Sequence, residues 1–174
     1  NTKYFGRFTY FYNIPVDICI VMDDDIIPGK NCIKNYVNQC IEKNAIIGGN
    51  GRLGYNNTGK NLKKVLDVGL RPSLLMDFVG HLWCFKKDWL YFMFREKPYT
   101  FDTGEDMHLC YSCKLFGSIP SYVAHHYEAD DCSDLAMNTL ADDQHSSFKT
   151  VNTIIRPEIE NYWISKGLKL IDSN

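Results

Sequence analysis

Short apolar runs alternate with amphipathic stretches along this chain, and that alternation sets its predicted elements. Ile18-Cys19-Ile20-Val21-Met22 is rich in β-branched residues and stops at three acids, Asp23-Asp24-Asp25, followed by Ile26-Ile27-Pro28-Gly29. It reads as a buried strand broken at its acidic end. Ahead of it, Asn1 to Asn13 carries Phe5, Phe8 and Tyr12 at helical spacing, predicting the end of a helix that feeds the strand. Asn31 to Asn44 sets Ile33, Tyr36, Val37, Cys40 and Ile41 on one helical stripe. Ala45 to Gly49 predicts a second strand ending in glycines. The Gly-, Asn- and Lys-rich stretch from Gly48 to Lys64 predicts a long surface loop or hairpin.

Strand character returns from Met76 to Phe85, and Lys87 to Phe94 predicts a short helix broken by Pro98. Glu105 to Phe116 is a longer helix with Met107, Leu109, Cys110, Cys113 and Leu115 on its apolar side, ended by Gly117. Ser118 to Ala124 is a last short strand that delivers His125 and His126 at its end. A polar loop then runs to about Gln144, and Phe148 to Leu170 reads as a terminal helix interrupted at Pro157. Alternating strands and helices without internal repeats predict an α/β sandwich.

Composition narrows the setting. A chain of 174 residues suits one domain with a sizeable core. Eleven Tyr, ten Phe and three Trp can fill that core and still line a ligand cleft. A net charge of -2 supplies no basic stripe for nucleic acid. No apolar stretch approaches the length of a membrane span, and the opening residues do not read as a secretory signal. The chain opens on Asn1 rather than Met, so a leader, anchor or upstream domain can precede it. Seven cysteines, an odd number and partly set in apolar patterns, favour reduced thiols in a cytoplasmic compartment. The sequon Asn56-Asn57-Thr58 keeps a secretory or Golgi-lumen setting open.

The candidate chemistry centres on carboxylates. Three acids at a strand's C-terminal edge repel one another where open α/β sheets bind ligands, and a divalent cation resolves that repulsion. Strand alternation gives Asp23 and Asp25 one face and Asp24 the other, so the outer pair can share Mg²⁺ or Mn²⁺. The competing reading is a solvated acidic turn. Thr103-Gly104-Glu105-Asp106 puts two acids in the first turn of a helix, where the helix dipole favours them; they serve there as a second acid–base pair or simply as a cap.

His125-His126 could give one imidazole to the same metal, or be satisfied in the core or at the surface. Gly80 beside His81, after Asp77, allows close approach of a sugar or phosphate to backbone, or marks a bulge. Cys110 and Cys113 are spaced like zinc ligands, but on an amphipathic helix buried thiols are the simpler account. Arg7 and Arg71 each offer a cation for phosphate. Trp83, Trp89, Tyr91 and Tyr99 offer stacking surface for a glycan, or serve as core.

Taken in order, Met22-Asp23-Asp24-Asp25, Asp77-Phe78-Val79-Gly80-His81-Leu82-Trp83, Gly104-Glu105-Asp106-Met107-His108 and a histidine after the last strand resemble the GT-A-fold nucleotide-sugar glycosyltransferases. The set is most similar to the small UDP-sugar transferases encoded by large DNA viruses of algae and protists, and it covers about Gly6 to His126. The resemblance implies an α/β GT-A fold, a Rossmann-like mixed sheet flanked by helices. It implies one catalytic domain over 1–174, a fragment or domain of a longer protein. Only twenty-two residues precede Asp23, so the N-terminal nucleotide-binding part is shortened or missing here.

Carried over by residue, the resemblance implies Mn²⁺ or Mg²⁺ held by Asp23 and Asp25 against a donor diphosphate, with His126, or else His125, as a further ligand. Asp24 would lie near the donor ribose or sugar, Gly80 and His81 would border the sugar, and Arg7 would face the diphosphate. Asp106 would contact the acceptor hydroxyl or act as base, with Glu105 beside it. The implied partners are a UDP-sugar donor and a glycan or other hydroxyl acceptor, and the implied location is cytoplasmic, in the host if the protein is viral.

Two other functions compete. A haloacid-type phosphohydrolase also places aspartates after its first strand, but it wants a small Gly-Thr or Gly-Val pair where Ile26-Ile27 stand. A non-catalytic sugar-binding or scaffold domain of the same fold is disfavoured by the presence of Asp23, Asp25 and Asp106.

Overall fold

The computed structural model describes residues 3–55, 64–65, 69–135 and 152–171. The sequon at Asn56-Asn57-Thr58 lies outside them, as do about half of the expected loop up to Lys64, much of the polar loop before Gln144 and the start of the terminal helix at Phe148. The described strands are β1 (Ile18–Met22), β2 (Ile46–Arg52), β3 (Lys64–Val65), β4 (Leu74–Met76), β5 (Phe78–Lys86) and β6 (Ser121–Val123). The helices are α1 (Gly6–Thr9), α2 (Cys32–Lys43), α3 (Leu90–Arg95), α4 (Glu105–Gly117) and α5 (Asn152–Ser165). The sheet runs β1-β5-β2-β6-β4, with β3 paired to β2.

This is a mixed α/β sheet flanked by helices, as the alternation predicts. β5 is antiparallel to both β1 and β2, and β6 is parallel to β2. Strands β1, β2 and β6 therefore run the same way, and their carboxyl ends share one edge of the domain. Alternation along β5 assigns the two faces. Trp83 and Phe85 pack on Phe8 of α1, with ring centroids 5.9 Å apart in each case. A bulge at His81-Leu82 shifts the alternation by one residue, so Phe78 shares that face and meets Tyr111 of α4 at 5.9 Å. Cys84, between Trp83 and Phe85, is hydrogen-bonded to Cys40 of α2. Thus α1 and α4 cover one face and α2 the other.

Four expectations are corrected. Residues 3–13 form 3₁₀ turns on either side of the single α-helical turn α1, not one helix. β2 continues through Gly48, Gly49 and Gly51 to Arg52 instead of stopping at the glycines. A Cβ on Gly48 would lie 2.3 Å from Val79 Cβ, and one on Gly51 2.4 Å from Val123 Cγ1. These glycines are where neighbouring strands press closest.

The buried stripe of α2 is also rotated. Ile33 and Ile41 are 46% and 57% exposed, whereas Asn35 and Gln39 are buried. Both amides donate to the His125 carbonyl at 2.9 Å, and Gln39 Oε1 accepts the His125 N–H at 2.7 Å. The end of β6 chooses the helix face. Finally, Pro157 sits inside α5 without ending it. Packing of the helix on the site offsets a local cost of roughly 3 kcal/mol.

All seven cysteines are buried free thiols, including Cys110 and Cys113 in α4. Burial pushes the Cys110 thiol up to about 12. No described helix is long and apolar enough to cross a membrane.

Candidate functional site

The edge strand β1 delivers Asp23 to the α1/α4 face, in phase with the buried Cys19 and Val21. The Asp23 N–H is fixed by the His81 carbonyl at 2.9 Å, which carries the strand ladder one residue beyond Met22. Arg7, on α1, then bridges two carboxylates: Nη1 donates to Asp23 Oδ1 and Nη2 to Glu105 Oε1, each at 2.6 Å. Its guanidinium lies 4.5 Å from the Trp83 ring centroid, a cation–π contact. Trp83 itself is core, with its indole N–H donated to the Val79 carbonyl.

The charges at this cluster are strongly interdependent. Burial raises the Asp23 carboxyl and Arg7 opposes that, while the charge of Asp25 adds to the rise. Burial and the neighbouring Asp106 raise Glu105, again opposed by Arg7. Burial works against the Arg7 charge, and Glu105 and Asp23 outweigh it.

The β5 segment beside Asp23 is irregular. Gly48 pairs with Trp83 and Asn50 with Gly80, so His81 and Leu82 together oppose Gly49 in a bulge. His81 has φ +67°, a left-handed backbone that costs a non-glycine residue about 1 kcal/mol or more. Its Nδ1 is buried without a hydrogen-bond partner, as is Nε of Arg7. Strain and an unpaired imidazole nitrogen thus coincide beside the carboxylates.

Asp106 opens α4 next to Glu105. Its Oδ1 accepts the Met107 N–H at 2.8 Å, and its Oδ2 accepts from Arg156 Nη2 at 2.5 Å. A Cβ on Gly80 would lie 3.9 Å from that Oδ2, so the bulged strand passes directly beneath the carboxylate. Arg156 Nε donates to the Tyr55 hydroxyl at 2.7 Å. Arg52, at the end of β2, feels both Arg156 and Asp106: burial lowers its guanidinium, Arg156 lowers it further and Asp106 opposes.

The structure therefore brings together Arg7, Asp23, Gly80, His81, Glu105 and Asp106, all anticipated from sequence. Asp24 and Asp25 stand exposed in the turn after β1. His126 is elsewhere. Its ring, 1% exposed, faces α2 on the opposite side of the sheet. Nδ1 donates to the Gly69 carbonyl at 3.1 Å, Cys132 Sγ lies 3.3 Å from the same nitrogen, and Nε2 is 3.4 Å from the Tyr36 hydroxyl. His125 stacks on Tyr127 with centroids 4.0 Å apart.

Arg71 donates to the Ala124 and Gly49 carbonyls at 3.0 and 2.6 Å, and Asp77 is buried among Gly54 N–H, Ile171 N–H and Lys114. Of the four candidate stacking aromatics, Trp83 and Trp89 are core, whereas Tyr91 and Tyr99 are 65% and 47% exposed.

A divalent cation suits the exposed Asp25 and the partly open Asp23 as hard oxygen donors, since Mg²⁺ and Mn²⁺ often take one or two carboxylates plus water and phosphate oxygens. The His126 ring does not fit that pair as it is placed. No group of three potential metal-ligating side chains is assembled among the described residues.

Sequence reading missed Arg52, Tyr55 and Arg156. The one local signal was the Arg156/Glu160 spacing, which puts both on one side of α5. Comparison with known proteins adds nothing further: no protein-family model and no curated protein matches the chain.

Proposed function

We propose that this domain is a metal-dependent glycosyltransferase that moves a hexose-type sugar from a UDP-sugar to a hydroxyl of a glycan or similar acceptor. The observation that carries this reading is a convergence. The Asp23 strand end, the Gly80-His81 bulge and the Glu105-Asp106 helix start, in the order the resemblance requires, meet at one sheet edge.

In this reading Asp23 and Asp25 hold Mn²⁺ or Mg²⁺, which when bound neutralises charge on the departing diphosphate. Arg7 can turn its guanidinium from Asp23 towards phosphate oxygens, and Gly80 leaves room for the sugar over backbone. Asp106 accepts the proton of the acceptor hydroxyl as the acceptor oxygen bonds to the anomeric carbon. The bond from that carbon to the diphosphate breaks, and its electron pair leaves with the nucleotide. A base opposite the leaving group gives inversion, a front-face route gives retention, and the product anomer distinguishes them.

One observation favours the non-catalytic sugar-binding reading: Asp23, Glu105 and Asp106 are each paired to an arginine. Calorimetric titration of UDP with and without Mn²⁺, beside Asp25→Asn, combined with hydrolysis of UDP-sugars, separates the cases. Metal-dependent binding that weakens in the variant, with turnover, supports the transferase. Metal-dependent binding without turnover on any donor supports the binding domain. Binding indifferent to both metal and Asp25→Asn overturns the cation assignment.

A further inference from the structure

The C-terminal helix does more than cover the sheet. It approaches unusually closely at two points: a Cβ on Gly104 would fall 2.4 Å from Ile159 Cδ1, and one on Gly54 2.9 Å from a Glu160 carboxylate oxygen. Gly104 also has φ +82°, so the residue that starts α4 is suited to glycine twice over. Seated this way, α5 places Arg156 and Glu160, one helical turn apart, against the loop after β2. Glu160 accepts the Tyr55 N–H and the Tyr111 hydroxyl, each at 2.8 Å. The Tyr55 ring stacks on Phe78 with centroids 6.1 Å apart, and the Arg156 guanidinium lies 5.4 Å from that same Phe78 ring. Arg156, 8% exposed, is therefore held by Tyr55 and Phe78 before it meets Asp106.

We propose that Arg156 is a positioning residue: its guanidinium fork fixes the Asp106 carboxylate over Gly80 for proton abstraction, which makes α5 part of the reaction machinery. This rests on the glycosyltransferase reading above. An acid in the first turn of a helix is already favoured by the helix dipole, so Asp106 needs no arginine to be tolerated there. Buried ion pairs often add no net stability over apolar packing, so stability alone is a weak reason for the pair. What Arg156 supplies is direction. Oδ1 is anchored by the Met107 N–H and Oδ2 by Arg156, so the carboxylate cannot rotate, and the remaining lone pairs keep a fixed aim. The other charges that act on this corner are Glu105, on the same helix as Asp106, and Arg52 from β2.

The test compares Arg156→Lys and Arg156→Ala with Asp106→Asn and the Asp106→Asn/Arg156→Ala double variant, using UDP-sugar hydrolysis and UDP–Mn²⁺ affinity. Loss of orientation is expected to lower kcat about 100-fold in Arg156→Ala while KM for the donor stays within about threefold. In the Asp106→Asn background the arginine change should cost nothing further, and added guanidinium should restore part of the Arg156→Ala rate. Arg156→Lys keeps the charge without the fork, guards against a variant that fails to fold, and should stay well below wild type at an unchanged melting temperature.

Equal losses with and without Asp106, or a raised KM at unchanged kcat, would overturn the proposal and leave the transferase reading standing. Wild-type protein inert towards every UDP-sugar would overturn the transferase reading, and this inference with it.

Discussion

Two polar clusters lie at the carboxyl end of the parallel strands, one on each face, and they have opposite characters. On the α1/α4 face, Asp23 is partly open, Asp24 and Asp25 are exposed, and Arg7 bridges acids from distant segments. On the α2 face, His126 is enclosed by Tyr36, Cys132 and the Gly69 carbonyl, and its backbone pairs with Arg71 in both directions. In sequence the two look alike: polar, chemistry-bearing residues at the end of an apolar strand. In the fold one keeps solvent access and charge, whereas the other consumes its hydrogen-bonding capacity internally. Access and leftover lone pairs separate a candidate ligand site from a structural hub, and residue type does not.

The sharpest way to break this contrast is to measure Mn²⁺-dependent UDP binding in variants of each cluster. Asp23→Asn should weaken it by about 100-fold, and His126→Phe should leave it within about threefold. Equal effects would merge the clusters into one site. Next in size is a buried histidine on the acidic face. Burial lowers His108, packed against Phe5 and Trp163 and donating Nε2–H to Met93, to about 4 from 6.5.

The unfolded chain therefore binds this proton first as pH falls. The stabilising contribution is complete above about pH 6.5 and is lost progressively down to about pH 4, roughly 3 kcal/mol in all. Urea denaturation of His108→Gln at pH 7 and pH 4.5 should show a smaller pH dependence than wild type. An unchanged slope would remove His108 as the source.

His126→Ala should cost about 2 kcal/mol, because it leaves the Tyr36 hydroxyl and the Gly69 carbonyl short of a partner and opens a void. A cost near zero in thermal melting would deny its role as a hub. The smallest effect tests the corrected orientation of α2. Ile33→Lys and Ile41→Lys should each change stability by under about 0.5 kcal/mol, whereas Gln39→Leu should cost about 1–3 kcal/mol by stranding the His125 backbone. The reverse ranking would restore the stripe read from periodicity.

Much of this molecule was legible because its signals are local. β1 ends at the Asp triplet, β5 and α4 fall where pattern and caps put them, and the strand–helix alternation gives the mixed α/β layering. Arg7, Gly80 and His81 could be flagged beside Asp23, Glu105 and Asp106. The failures have physical causes. Glycine usually ends a strand, yet Gly48 and Gly51 continue β2 because Val79 and Val123 need the space. Asn35 and Gln39 look solvent-facing until the strand end they bind is known. Arg156, Tyr55 and Arg52 escaped because their meaning lies in pairings 50 and 101 residues away along the chain, to Asp106 and between Arg156 and Tyr55. The bulge at His81 was one of two readings that Gly80 within a strand offered, and the pairing with β2 shows it.

The buried thiols have a practical consequence. They are distributed over β1 (Cys19), α2 (Cys32, Cys40), β5 (Cys84), α4 (Cys110, Cys113) and the segment after β6 (Cys132), and the described part of α5 has none. Each is a built-in probe of local opening, invisible to a thiol reagent until its own element yields. Timed alkylation of the native protein, resolved by peptide, would map which layers breathe together without a single substitution.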